Sequence, residues 1–442
     1  MLSLNFLCVF ITIFGFVYSI EECKNVSEIY KFHLGTKTPY RFVANTMPER
    51  MDYPGCEPQK LWFLVRHGTR TPSIDLIENM KERLPEIRDL ILENNPKPSE
   101  RLRNSDLYAL RKWKLKIDST KEKILAHEGE DEMIDLAERL QMRFPSLLPS
   151  TYSNTTYYFK YTKSQRTKAS AKYFAAGLFG RQSVRDVWYP TPSKKDPVLR
   201  FYKLCSKWKD EVKDNPESVR EKQLFENSSH MLKAIEAMNY ELKFKDNQRL
   251  SLEDVHLIYM TCAFETAWYR KNKSPWCSAL TSEVAKVMEF TEDLKYYYRD
   301  GYGYEITYKQ ACVTFNDMLN HLESTSQYPK STVYYTHSGT LLKMLSHMGL
   351  YNDSKPLTHK DFDQSGNKWR VSKIDSFGTN LGFILYRCDQ KYKVLTLHQE
   401  HVVHLPSCEE ELCDLDQIKE HYNDSIHECE FDEMCSNNEN DL

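Results

Sequence analysis

Apolar and polar positions repeat one plan along the chain. The apolar run Leu61-Trp62-Phe63-Leu64-Val65 stops at Arg66-His67-Gly68-Thr69-Arg70-Thr71-Pro72, and residues 73–84 then place apolar side chains at helical spacing. Residues 157–162 are aromatic and β-branched, lead into Ser164-Gln165-Arg166, and give way to a helical pattern through Ala169, Ala171, Phe174 and Leu178. Residues 332–336 do the same before His337-Ser338-Gly339, with Leu341, Leu342, Leu345 and Met348 on the following helix and Gly349 placed to end it. Strand, turn and amphipathic helix occurring three times predict the α/β class, a mostly parallel sheet flanked by helices.

Open α/β sheets gather ligand groups at the carboxyl ends of their strands. Arg66, His67, Arg70, Arg166 and His337 would therefore face one crevice. Any one of them alone is an ordinary surface residue after a strand, and the repetition at three strand ends is what marks a site. Over residues 91–144 and 196–290 the pattern turns charged, Lys-rich and helical, which predicts a helical cap formed by insertions into a body spanning 20–428, with an acidic tail at 429–442. No internal repeat or low-complexity tract is evident.

Composition adds bounds. At 442 residues with 40% hydrophobic and 28% charged positions, the chain has enough apolar side chains for a large core and lies far from disordered composition. A formal net charge of −3 provides no whole-molecule field for nucleic acid, so an anion site must come from locally placed Arg and Lys. Residues 1–19 hold a charge-free apolar run ending at Ser19, the pattern of a secretory signal peptide, although no Lys or Arg precedes it and an uncleaved anchor is the competing reading. No later stretch approaches the ~18 apolar residues of a membrane span.

Of 12 cysteines, Cys8 lies in that leader, leaving an odd 11 for an oxidising compartment. The two short-loop pairings expected are Cys262 with Cys277 and Cys408 with Cys413. Glycosylation triplets begin at Asn25, Asn154, Asn227, Asn272, Asn352 and Asn423.

The basic and imidazole set suits two-step cleavage of a phosphomonoester, in which an imidazole attacks phosphorus and water later hydrolyses the phosphohistidine. His67 is the candidate nucleophile. Guanidinium groups best hold the non-bridging oxygens, because the planar fork donates two hydrogen bonds and stays charged. Arg66, Arg70 and Arg166 supply three, and His337 would add a donor in its protonated form. The leaving alkoxide then needs a proton from a general acid.

The motif at residues 66–72 is similar to the Arg-His-Gly-x-Arg-x-Pro motif of histidine acid phosphatases and phytases. The segment His33-Leu34-Gly35-Thr36-Lys37-Thr38-Pro39-Tyr40, the block Ser274-Pro275-Trp276-Cys277, and the run from Asp293-Leu294-Lys295 to Gly301-Tyr302-Gly303-Tyr304 resemble the multiple inositol polyphosphate phosphatases more narrowly. The resemblance covers about residues 23–422. It implies a histidine phosphatase fold, with His67 as phosphate acceptor, His337 beside it, and Arg66, Arg70 and Arg166 as the phosphate pocket. It also implies inositol polyphosphates, and 2,3-bisphosphoglycerate, as substrates and no metal or organic cofactor.

In that family the second histidine opens a His-Ala-Glu triplet whose glutamate donates the proton. Here the triplet reads His337-Ser338-Gly339, and Gly339 has no side chain to donate from. Three readings stand: a slow phosphatase, a phosphatase with its donor elsewhere, for which Glu400 is a candidate, and a secreted pseudophosphatase that binds phosphorylated ligands. His398, His401 and His404 recur every third residue, but on a strand such steps alternate faces, which argues against a metal site. Tyr296, Tyr297 and Tyr298 read as packing. Lys160, Lys163 and Lys168 would either extend the anion pocket or remain solvated.

Overall fold

A computed structural model describes residues 30–437 other than 48, 363 and 365, so the expected leader, Asn25 and the acidic terminus beyond 437 lie outside the described residues. Seven strands form one sheet: β1 (Cys56–Arg66), β2 (Tyr157–Tyr161), β3 (Ser331–Thr336), β4 (Asn380–Cys388), β5 (Lys391–His398), β6 (His401–Val402) and β7 (Leu412–Asp414). Their order is β2-β3-β1-β4-β5-β6, with β7 also paired to β5. The three strands singled out in the sequence are adjacent and parallel, with Tyr161 opposite Tyr335 and Arg66 opposite Thr336, so all three end at one edge. Beyond β1 the pairings are antiparallel, which makes the sheet mixed: the parallel half carries the predicted crevice.

The apolar runs are continuous because both faces of this sheet are covered. Trp62 and Leu64 point into one core and Leu61, Phe63 and Val65 into the other, the two-residue alternation of a strand read onto two layers. The main helices are α1 (Ile74–Glu82), α2 (His127–Arg143), α3 (Gln165–Ser183), α4 (Leu252–Trp268), α5 (Ser282–Asp300), α6 (Cys312–Glu323) and α7 (Ser338–His347). On one face α2 and α3 bring Met133, Leu136, Leu140, Phe174 and Leu178 against the Phe63 side of the sheet. The other face meets α4 to α7 through Ile258, Leu294, Phe315 and Leu342. Each large apolar side chain taken out of water contributes about 1.5–3 kcal/mol before conformational entropy is counted. Thus α2, although within the charged stretch 91–144, belongs to the layer beneath the sheet. Gly349, at φ 72°, closes α7 as expected.

The ten cysteines of the described residues form five disulfides, Cys56–Cys388, Cys205–Cys435, Cys262–Cys277, Cys312–Cys429 and Cys408–Cys413. Both short-loop expectations hold. The other three join residues more than a hundred positions apart, and two of them fasten the segment after residue 428 to the body. Asn154, Asn227, Asn272, Asn352 and Asn423 are all exposed.

Candidate active site

The motif turn sits on a glycine contact. A Cβ on Gly68 would lie 2.6 Å from the carbonyl oxygen of Gly129, in the first turn of α2, so only two glycines allow the backbones this close. The buried carboxylate of Glu132, one turn further on, accepts from Thr69 N (2.7 Å), Thr69 Oγ1 (2.8 Å) and Tyr40 N (3.2 Å). Burial pushes Glu132 up to about 7 against the pull of those donors. From β1, His67 receives main-chain hydrogen bonding on both sides, its N–H donating to Thr336 O and its carbonyl accepting from Gly378 N.

The ring of His67 is buried, and its Nδ1 lies 2.9 Å from Gly68 O. A carbonyl only accepts, so Nδ1 carries the hydrogen and Nε2 keeps its lone pair. Desolvation first, then the guanidinium charges of Arg166, Arg66 and Arg70, hold His67 well below the usual histidine range, so the ring stays neutral with Nε2 unprotonated. His337 stands next to it, with ring centroids 5.6 Å apart.

The partners of His337 hold it in its neutral form. Burial and the charges of Arg166, Arg200, Arg70 and Lys203 push it well below the usual range. Arg166 Nη2 donates to its Nδ1 at 3.2 Å, and Nε2 therefore carries the hydrogen given to Thr162 Oγ1 at 2.9 Å. His337 is thus a neutral prop for the Arg166 guanidinium.

Arg66 is fixed by carbonyls, donating to Asp375 O (2.6 Å), Ser376 O (3.0 Å) and Thr36 O (3.0 Å), with its guanidinium over the Phe377 ring. The buried Nε atoms of Arg66 and Arg166 have no hydrogen-bond partner among the described residues. Burial followed by neighbouring guanidiniums pushes Arg70 down to about 9 and Arg166 down to about 10. The five residues read from three strand ends therefore form one cluster, and its cations repel one another in a poorly solvated place. The amino ends of α3 and α7 begin at the same edge, adding partial positive charge.

Such a cluster is relieved by an anion. Inorganic phosphate at a hundred times its dissociation constant is expected to stabilise the folded protein by about 2.7 kcal/mol, read as a rise in melting temperature. Arg70→Ala should melt higher than wild type without phosphate and gain little from its addition. Equal gains in both proteins would place the anion elsewhere.

Glu400 is held by its partners too. It is fully buried, its oxygens accepting from Arg139 Nε (2.9 Å) and Nη2 (2.7 Å), from Arg143 Nη1 and from Tyr40 OH (2.7 Å). It is a counter-ion for two arginines. Lys160 is taken by Asp196 at 2.9 Å, while Lys163 and Lys168 are exposed. His398 Nε2 bonds Ile374 O and His401 Nε2 bonds Val43 O. Tyr297 packs edge-on against Trp369.

Arg200, Lys203, Asp300 and Asp375 escaped the sequence reading. The charges of Arg200 and Lys203 reach His337, yet both residues sit in the charged 196–290 stretch where no motif separates them from solvated neighbours. Beside the absent carboxyl, a Cβ on Gly339 would stand 3.0 Å from Asp300 Oδ1.

Comparison with known proteins agrees with this geometry. Residues 59–405 match the model of the histidine phosphatase superfamily (branch 2). The multiple inositol polyphosphate phosphatase 1 of Drosophila melanogaster is 33% identical over 413 residues, covering 90% of this chain and 86% of that protein. The human protein of the same name is 27% identical, covering 91% and 88%. Among solved structures, the phytase from D. castellii superposes with a TM-score of 0.72 at 16% identity, covering 93% of this chain and 88% of that one. The Bifidobacterium longum multiple inositol polyphosphate phosphatase in complex with inositol hexasulfate gives 0.66 at 14%, covering 88% and 97%. The chain belongs to the multiple inositol polyphosphate phosphatase family, within branch 2 of the histidine phosphatase superfamily.

Proposed function

We propose that this protein is a secreted phosphomonoesterase that removes phosphate from inositol polyphosphates through a phosphohistidine on His67. The observation that carries the reading is the free Nε2 of His67 set among three guanidiniums at one sheet edge. In this scheme Nε2 attacks phosphorus, and Arg66, Arg70 and Arg166 neutralise the non-bridging oxygens as charge builds in the transition state. His337 holds Arg166 in place. The relatives named as inositol polyphosphate phosphatases support the substrate class. Five disulfides and exposed glycosylation triplets support an oxidising, secretory setting.

The test is release of inorganic phosphate from inositol hexakisphosphate by the purified protein. Release above a protein-free blank supports the enzyme. Gly339 favours one second reading, a pseudophosphatase that binds such ligands, since loss of the donor slows departure of an alkoxide by about 10²–10⁴-fold without emptying the pocket. Release at the blank level with saturable binding that Arg70→Ala weakens would establish that alternative.

A further inference from the structure

If the chain is a phosphatase, its chemistry lacks one proton. Cleaving an inositol phosphate expels an alkoxide, and nothing at Gly339 can protonate it. Two carboxyl groups flank the Ser338-Gly339 step where the family's acid would stand. Asp300 lies on the Gly339 side, its Oδ1 within 3.0 Å of the missing Cβ. That oxygen is bonded by Lys343 Nζ, a fully buried ammonium that needs the negative charge. Asp300 is committed to that ammonium, and Gly339 beside it has no hydroxyl to relay a proton.

Asp375 lies on the Ser338 side and is fully buried. Its Oδ2 accepts from Ser338 Oγ. Its Oδ1 stands 3.2 Å from Arg66 Nη1 in ion-pair contact but has no hydrogen-bond partner among the described residues. Ser338, partly exposed, directly follows His337 at the end of β3, so its hydroxyl joins the buried acid to the edge where the cluster sits. We propose that Asp375 supplies the leaving-group proton through the Ser338 hydroxyl, replacing the carboxyl absent at Gly339.

The step balances. When Asp375 is protonated on Oδ2 it donates to Ser338 Oγ and the hydroxyl turns away from it; as the His67 Nε2–P bond forms and the P–O bond to the inositol breaks, the departing oxygen takes the Ser338 hydroxyl proton and Ser338 takes the proton of Asp375. When water attacks the phosphohistidine, its proton returns along the same path and the N–P bond breaks. The charges around Asp375 suit this duty. Burial pushes it up to about 6 and Asp300 adds to the rise, while Arg66, the Ser338 hydrogen bond and Lys37 oppose it.

This inference rests on the phosphatase reading, and one experiment separates the two. Wild type, Asp375→Asn and Ser338→Ala are assayed on inositol hexakisphosphate, whose alkoxide must be protonated, and on p-nitrophenyl phosphate, whose phenolate leaves without help. Both variants should lose about 10²-fold in kcat on the first and far less on the second. The fall in wild-type kcat above about pH 6 on inositol hexakisphosphate should disappear in Asp375→Asn, substrate ionisation being common to both proteins. Retained stabilisation by inorganic phosphate shows that the guanidinium cluster is still in place, and Ser338→Ala decides the question if Asp375→Asn does not fold. Equal losses on both substrates, or none, overturn the proton path. Wild type inactive on both substrates overturns the phosphatase reading instead.

Discussion

Replacing His67 with alanine is expected to reduce phosphate release from inositol hexakisphosphate to the blank, a loss on the order of 10⁶-fold, the scale of removing a covalent nucleophile. No neighbour can take over. His337 is the other imidazole at the site, and its nitrogens are committed, Nδ1 to Arg166 and Nε2 to Thr162. The effect should be confined to turnover. The guanidiniums of Arg66, Arg70 and Arg166 are held by other contacts, so inorganic phosphate should still raise the melting temperature of the variant. Turnover retained above about a hundredth of wild type would show that another group attacks phosphorus.

Glu400→Ala should be the most destabilising of the substitutions considered, by about 3–5 kcal/mol, because it leaves buried cations without their counter-ion. Arg143 is almost fully buried and also donates to Asn45 O (2.6 Å) and Met47 O (2.7 Å), so its guanidinium has nowhere to swing. Tyr40 loses its acceptor at the same time. Melting temperature should fall sharply while kcat per folded molecule stays near wild type. Lost turnover at unchanged stability would instead return Glu400 to the chemistry.

The reach of sequence reading follows from how local each signal is. Strands β1, β2 and β3, with the turns that follow, are legible because a buried parallel strand needs an unbroken apolar run and the helix behind it needs a helical apolar stripe. The charged residues between those patterns stand out for the same reason. Glu400 shows the limit: beside a strand it reads as a free carboxylate, and its partners Arg139 and Arg143 come from α2, more than 250 positions earlier. Asp375 gives no signal either. It reaches Ser338 because β4 pairs with β1 and lays the preceding turn across the motif, a contact set by register rather than by neighbouring residues. The protonation of His337 is not legible in the sequence, because burial and nearby cations decide it and neither is visible along the chain.

The strand order carries a consequence for how the molecule is made. In the row β2-β3-β1 the middle member is the last to leave the ribosome: β1 ends at Arg66, β2 at Tyr161, and β3 begins at Ser331. For roughly 170 residues of synthesis, at about 5–20 residues per second, the first two strands wait with their facing edges unsatisfied. Nascent chains in that window present open edges prone to wrong partners. Helper proteins that shield such edges should matter most before Thr336 emerges, and a synonymous pause just ahead of β3 should lower yield without changing a single atom of the finished protein.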